Sequence, residues 1–299
     1  MRRLKTVLAA ALLAASPGAA GAVEIETALG PVEISGPPRR IAVYDIPAID
    51  TLDRLGVEIA GVPDNLYLPE LAHVAGKAEV VGTLFEPDLE ALSALAPDLV
   101  VVGARSAARR EAVARVAPAI DMTLAGADMI AEARARTLAY GELFGRQGQA
   151  AELVAELDAA VRAAREAVAG KGDALIVMTS GPKISVYGAQ SRFGWLHREL
   201  GLAAAAETAV AAQHGEAVSF EFVREADPDW LIVLDRAAAI GSGEANARAT
   251  LDNELVAATT AWRKGQVIYL PAADFYIGAG GVPATVRVLD ALAQGFAAR

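Results

Sequence analysis

The sequence predicts an α/β protein of two similar lobes, each built on a parallel sheet covered by helices, with one long helix joining them. Three observations carry this reading. First, two stretches 131 residues apart share a polar skeleton: Glu90, Pro97-Asp98, an apolar run and Arg105, then Glu221, Pro228-Asp229, an apolar run and Arg236. In both, seven residues separate Glu from Pro and seven separate Asp from Arg. Second, the chain between Met129 and Ala169 is continuously helical in pattern, interrupted only near Gly145. Third, short branched apolar runs alternate with helical patterns on either side of that segment, the signature of sheets with crossover helices.

Each copy of the repeat reads as a short helix carrying Glu, a Pro-Asp turn, a buried strand, and an Arg just past the strand's end. Ligands of open α/β sheets bind beyond the carboxyl ends of the strands. Two such units therefore offer one Arg each to a shared cleft.

In chain order, Val23 to Ile34 reads as an entry strand or hairpin turning at Leu29-Gly30-Pro31. Ile41 to Tyr44 is a buried strand, followed by a helix holding Ile49, Leu52 and Leu55. Val57 to Gly61 and Ala78 to Val81 are further strands, and Leu99 to Gly103 is the strand of the first repeat. Gln149 to Ala169 has Leu153, Leu157, Val161 and Val168 on one face, with charges between. A helix of that length spans roughly 30 Å, the height of a domain. A second α/β pattern follows: strands at Ala174 to Thr179 and Ile184 to Tyr187, a helix after Phe193, the second repeat, a strand at Gln266 to Leu270 and a closing helix from Ala284 to Ala297. The expected organisation is a leader over 1–22, an N-terminal lobe over 23–145, a connecting helix over 146–170 and a C-terminal lobe over 171–299.

Arg2, Arg3 and Lys5, the apolar stretch Val7 to Ala15, and Ala20-Gly21-Ala22 have the layout of a cleavable export signal. The apolar stretch is too short to span a bilayer; an uncleaved anchor is the alternative. The chain has no cysteine, hence no disulfide, thiolate metal site or lipid-anchor cysteine. A soluble periplasmic protein is expected. Removal of the leader takes the formal charge from −10 to −13. So acidic a surface argues against nucleic acid and anionic membranes as partners. An anionic ligand is still compatible if basic residues gather in one cleft.

Arg105 and Arg236 come from the repeat, and Arg192 stands in the turn Gln190-Ser191-Arg192-Phe193-Gly194. Guanidiniums from three loops would form an anion pocket with forked hydrogen-bond geometry; the plainer alternative is surface solvation. His214, one of three histidines, lies in a polar loop ahead of the Glu221 helix, and Tyr276 follows the last strand. A phenolate and an imidazole suit Fe(III), the hard oxygen better. Two protein donors would need the rest of the iron shell to come with the ligand. Otherwise His214 caps a helix and Tyr276 packs at the rim. Glu90 and Glu221, at equivalent points of the two halves, form a matched acidic pair suited to a two-fold partner. No nucleophile elbow, H-E-x-x-H, P-loop or dinucleotide loop is present.

With these residues laid out, the chain resembles the periplasmic ferric-siderophore binding proteins of ABC importers, most closely the catecholate branch. The resemblance rests on Glu86-Pro87-Asp88-Leu89-Glu90 through Pro97-Asp98-Leu99-Val100, on Val186 to Gly194, on His214-Gly215-Glu216-Ala217-Val218-Ser219-Phe220-Glu221 and on the Tyr276 loop. It implies two Rossmann-like lobes on one rigid backbone helix, the class III arrangement, and a carrier without catalytic turnover; a monomer is the default for a carrier that must dock on a membrane partner. It further implies Arg105, Arg192 and Arg236 as the cleft triad, and His214 and Tyr276 as donors completing the iron shell of a tetradentate complex. Glu90 and Glu221 would dock on a dimeric permease. No permanently bound cofactor is expected; the Fe(III)-siderophore is cargo. Haem, cobalamin or a ferric hydroxamate are alternative cargoes. A hydrolase using His214 and Ser219, or a protein adaptor, are alternatives of another class.

Overall fold

The computed structural model describes residues 22–126, 128–207, 215–242 and 246–298. The expected leader therefore lies almost wholly outside the described residues, and His214 lies outside them too.

The chain opens with an antiparallel hairpin, β1 (Val23–Thr27) and β2 (Gly30–Ile34). The N-terminal sheet contains β3 (Ile41–Val43), β4 (Gly61–Val62), β5 (Glu79–Val80), β6 (Leu99–Val102) and β7 (Ala119–Asp121). Its order is β5-β4-β3-β6-β7 and every pairing is parallel. The interior strand β6 is buried along its whole length, as an apolar run in a sheet covered on both faces must be. The predicted strand at Val57 to Gly61 is displaced: pairing begins only at Gly61. A Cβ there would stand 2.5 Å from Leu95 Cδ2, so glycine lets the neighbouring helix sit directly on the sheet.

The C-terminal sheet contains β8 (Asp173–Ser180), β9 (Lys183–Tyr187), β10 (Ala203–Ala204), β11 (Glu216–Val218), β12 (Trp230–Asp235) and β13 (Val267–Tyr269). Its path is β11-β9-β8-β12-β13, with β10 beside β8. Here the wholly parallel expectation fails. β9 runs antiparallel to β8, and β11 antiparallel to β9. The physical reason is the connection: only Gly181, at φ +57°, and Pro182 separate β8 from β9. Parallel neighbours need a crossover of a dozen residues or so, whereas a two-residue link closes a hairpin.

The repeat has a structural basis in both lobes. The residue before each Pro-Asp, Ala96 and Asp227, is left-handed and ends its Glu-bearing helix. Asp98 then accepts hydrogen bonds from the Arg39 and Arg40 amides at 2.8 and 3.1 Å, fixing the entry to β3. Asp229 accepts from the Asp173 amide at 3.3 Å, at the entry to β8. Each Pro-Asp thus ties the strand after it to the neighbouring strand.

The helices Met129–Leu143 and Gln147–Val168 are separated by Gly145 at φ +64°. The second, of 22 residues, is the connecting helix and is about 33 Å long. It buries Leu153, Leu157, Val161 and Val168 together with Ala150, Ala160 and Ala164, and it packs along the closing helix Val282–Ala297. That closing helix is capped by the other lobe. Asp50, in the first helix (Ile46–Arg54), accepts from the Ala284 amide at 2.8 Å, and Thr51 Oγ1 accepts from the Val282 amide at 3.2 Å. Arg287 on the closing helix is held by Asp274 at 2.6 and 2.9 Å, with Asp50 at 3.7 Å. A buried polar latch therefore joins the lobes beside the connecting helix.

Candidate anion-binding cleft

Tyr276 ends the short helix Ala272–Tyr276, and three arginines from three other segments converge on it. Arg105 follows β6 in a loop locked from below. The fully buried Ser106 donates to the Tyr44 carbonyl at 2.9 Å and accepts from the Gly103 amide at 3.1 Å. Arg236 directly follows β12, where Asp235 caps the next turn through the Ala238 amide at 3.1 Å. Arg192 stands in a tight turn closed by Ser191, whose hydroxyl donates to the Gly188 carbonyl at 2.7 Å. A Cβ at Gly194 would overlap the Ala189 carbonyl, so that turn requires glycine.

The Tyr276 carbonyl accepts from Arg105 Nη2 at 2.8 Å and from Arg192 Nη2 at 2.5 Å. The phenol oxygen lies 3.4 Å from Arg236 Nε. The Arg192 and Arg105 guanidinium carbons stand 4.8 and 5.7 Å from the Tyr276 ring centroid, within cation–π range. Beneath them is an aromatic bed: Phe193 stacks on Phe275 at 4.5 Å and meets Tyr187 at 4.7 Å. Among the described residues, none of the three arginines forms an ion pair with a carboxylate. Three positive charges are gathered on the Tyr276 carbonyl, its phenol oxygen and its ring, leaving a site electrostatically complementary to an anion.

The electrostatics follow. Burial pushes the Tyr276 phenol up, but the Arg236 hydrogen bond and the charges of Arg192, Arg236 and Arg105 outweigh it, and the net shift is downward. Tyr187, in the aromatic bed, is pushed up to about 12, chiefly by burial. Arg105 is lowered by burial first and by the Arg192 charge second, the mark of like charges held close. Among the described residues no cluster of three or more His, Cys, Asp or Glu is placed to hold a metal ion. A surface hollow of about 630 Å³ near Arg39, Arg40 and His73 shares no residue with this cleft, and within it Arg40 pairs with Glu79 and His73 with Asp53.

The model of the periplasmic binding protein family matches residues 41–273. The chain belongs to that family. Among its relatives, the petrobactin-binding protein YclQ of Bacillus subtilis is 30% identical over 264 residues, covering 86% of this chain and 82% of the relative. The ferric-anguibactin-binding protein FatB of Vibrio anguillarum is 31% identical over 281 residues, 92% of this chain and 87% of its own length. Of solved structures, the periplasmic catecholate-siderophore binding protein VctP of Vibrio cholerae superposes with a TM-score of 0.83 at 31% identity, covering 91% of this chain and 99% of that one. The two-lobed α/β architecture expected from the sequence is the one observed.

In this periplasmic binding protein, Glu90 and Glu221 occupy the exposed first turns of equivalent helices, Leu89–Leu95 and Phe220–Ala226. Asp88 caps the first by accepting from the Glu90 and Ala91 amides, both at 3.0 Å. In the second, the Ser219 hydroxyl bonds the Glu221 carboxylate and lowers its pKa. The loop expected before the Glu221 helix contains the short strand β11 instead. Gly215, next to His214, is pressed against the Tyr187 ring: a Cβ there would stand 2.5 Å from Cζ. Sequence reasoning missed the Phe193–Phe275 bed and the half-buried Tyr67. Aromatic residues separated by eighty positions carry no spacing signal, so neither was visible there.

Proposed function

We propose that this chain is a periplasmic carrier that captures a ferric siderophore of catecholate type between its lobes and delivers it to a dimeric ABC permease. The observation that carries the reading is the group of three guanidiniums, unpaired with carboxylates, around Tyr276. Ferric catecholates are anionic and aromatic, so forked N–H donors and cation–π surfaces complement both properties. A four-donor bis-catecholate leaves two of iron's six positions open. Tyr276 supplies one, its phenol already favoured toward phenolate by the arginines, and His214 the other. The remaining donors arrive with the cargo. The names of YclQ, FatB and VctP, which bind petrobactin, ferric anguibactin and a catecholate siderophore, support this cargo class. Glu90 and Glu221 are the docking pair for arginines of the permease, and a monomer suffices for that task.

The test is a tryptophan-fluorescence titration of the mature protein with a ferric bis-catecholate, beside iron-free chelator, ferric hydroxamate and haem. Trp195 is buried 6.1 Å from Phe275 and so senses the aromatic bed. Iron-dependent quenching by the bis-catecholate is expected. Tyr276→Phe should weaken that complex far more than a six-donor tris-catecholate; equal losses would remove Tyr276 from the iron shell. Response to haem or hydroxamate alone would overturn the cargo class.

A further inference from the structure

Between β4 and the turn Pro69–Leu71 the chain passes through Leu66-Tyr67-Leu68, and its backbone there is unusual. The Leu68 amide donates to the Leu66 carbonyl at 2.7 Å, closing a three-residue turn around Tyr67, whose φ is +62°. A γ-turn with positive φ at its centre is the rarer and more strained hand, and a bulky side chain makes it worse. The described chain has two other non-glycine residues with positive φ, Ala96 and Asp227, and both are the helix ends before a Pro-Asp. Tyr67 caps nothing. Leu66 and Leu68 are buried at 4% and 3% exposure and clamp the turn from both sides, while the Tyr67 amide is held by Asn65 Oδ1 at 2.8 Å. Glycine or asparagine would take this backbone more cheaply; Tyr67 is only partly buried against the core, so part of its ring stays free to meet a ligand. Strain of this kind persists where the side chain it presents has a task.

The location suits one. A Cβ on Gly278 would lie 3.1 Å from Leu68 Cδ2, so the turn abuts the segment just after Tyr276. Tyr67 is half-buried, and its phenol lies within electrostatic reach of Arg105.

We propose that Tyr67 is a specificity-determining contact of the N-terminal lobe, its ring presented by the strained turn as a flat face for the aromatic ring of an aryl chelate anchored on Arg105. This rests on the cargo reading above and deepens it. The arginines recognise charge, which aliphatic chelates also carry; Tyr67 adds recognition of the arene. Paired rings offset or edge-on supply attraction beyond buried area.

The experiment uses the mature chain with Tyr67→Phe, Tyr67→Leu, Tyr67→Ala and Tyr67→Gly, each titrated with a ferric bis-catecholate and melted without ligand. Phe should bind as the unsubstituted protein does. Leu, apolar but without a π-face, and Ala should each weaken binding about three- to tenfold, the range of one aromatic pair. Gly should weaken binding as Ala does yet melt above the Ala variant, because positive φ suits glycine and strains alanine. Leu binding as tightly as Phe would overturn the inference, and Ala melting at or above Gly would overturn its strain argument. Quenching by the unsubstituted protein with unchanged affinity in every variant would sink this inference alone. Absence of binding by the unsubstituted protein would overturn the cargo reading and this inference with it.

Discussion

Replacing Asp50 by asparagine should change how stability depends on pH while leaving the inter-lobe cap in place. Asp50 is 3% exposed, and burial pushes its carboxyl up to about 7, partly offset by the Ala284 amide and Arg287, with Asp274 and Glu70 adding to the rise. A folded pKa above the unfolded value means that the native state binds the proton more tightly between about pH 4 and 7. Stability from this group is therefore fully present below the unfolded pKa and is lost as pH rises through 7. The rise from 3.8 to about 7 sets a ceiling of roughly 4 kcal/mol at 1.36 kcal/mol per unit. Relaxation and water entry into the latch reduce that ceiling, so about 2 kcal/mol or more should be visible. Asparagine keeps an oxygen to accept from Ala284 and never ionises. Urea unfolding of both proteins at pH 5 and pH 8, followed by fluorescence of the buried Trp230 beside Phe296, measures the difference. Asp274, whose carboxyl is also raised by burial, contributes to both profiles alike. From pH 5 to pH 8 the Asn variant should gain about 2 kcal/mol on the natural protein, because the natural carboxyl loses its contribution across that window. Parallel profiles would refute the claim that Asp50 is held protonated by burial.

Three further outcomes follow from the geometry. Gly215→Ala places a methyl group 2.5 Å from Tyr187 Cζ at a residue with φ +82°, so it should destabilise the fold by about 1–3 kcal/mol and weaken ligand binding, seen as a lower melting temperature and a shifted titration. Arg236→Gln removes the hydrogen-bond donor and one of the charges that lower the Tyr276 phenol; its ionisation should move to higher pH in an ultraviolet difference titration, and an unmoved curve would show that Arg192 and Arg105 suffice. Charge reversal at both Glu90 and Glu221 should abolish uptake in cells expressing the cognate permease while ligand affinity in solution stays unchanged, since both carboxylates are exposed and outside the arginine cluster.

The parts legible in the sequence are those whose cause is local. Glu90 to Arg105 and Glu221 to Arg236 could be read as helix, turn, strand and Arg because apolar runs, Pro-Asp and the position after a strand are written in neighbouring residues. The connecting helix was legible for the same reason: apolar residues three and four apart declare one buried face. The antiparallel β9 was also within reach, because Gly181-Pro182 is too short for a crossover. What only the tertiary structure decided depends on partners far apart along the chain. Asp50 caps a helix 234 residues away, and Arg105 finds the Tyr276 carbonyl across 171 residues. Tyr67 sits between two leucines in a segment with no glycine or asparagine at the turn's centre, so nothing local announces positive φ; the backbone bends there because both leucines are drawn into the core. Local preferences select the elements, and burial of their apolar faces then chooses which distant polar groups must meet.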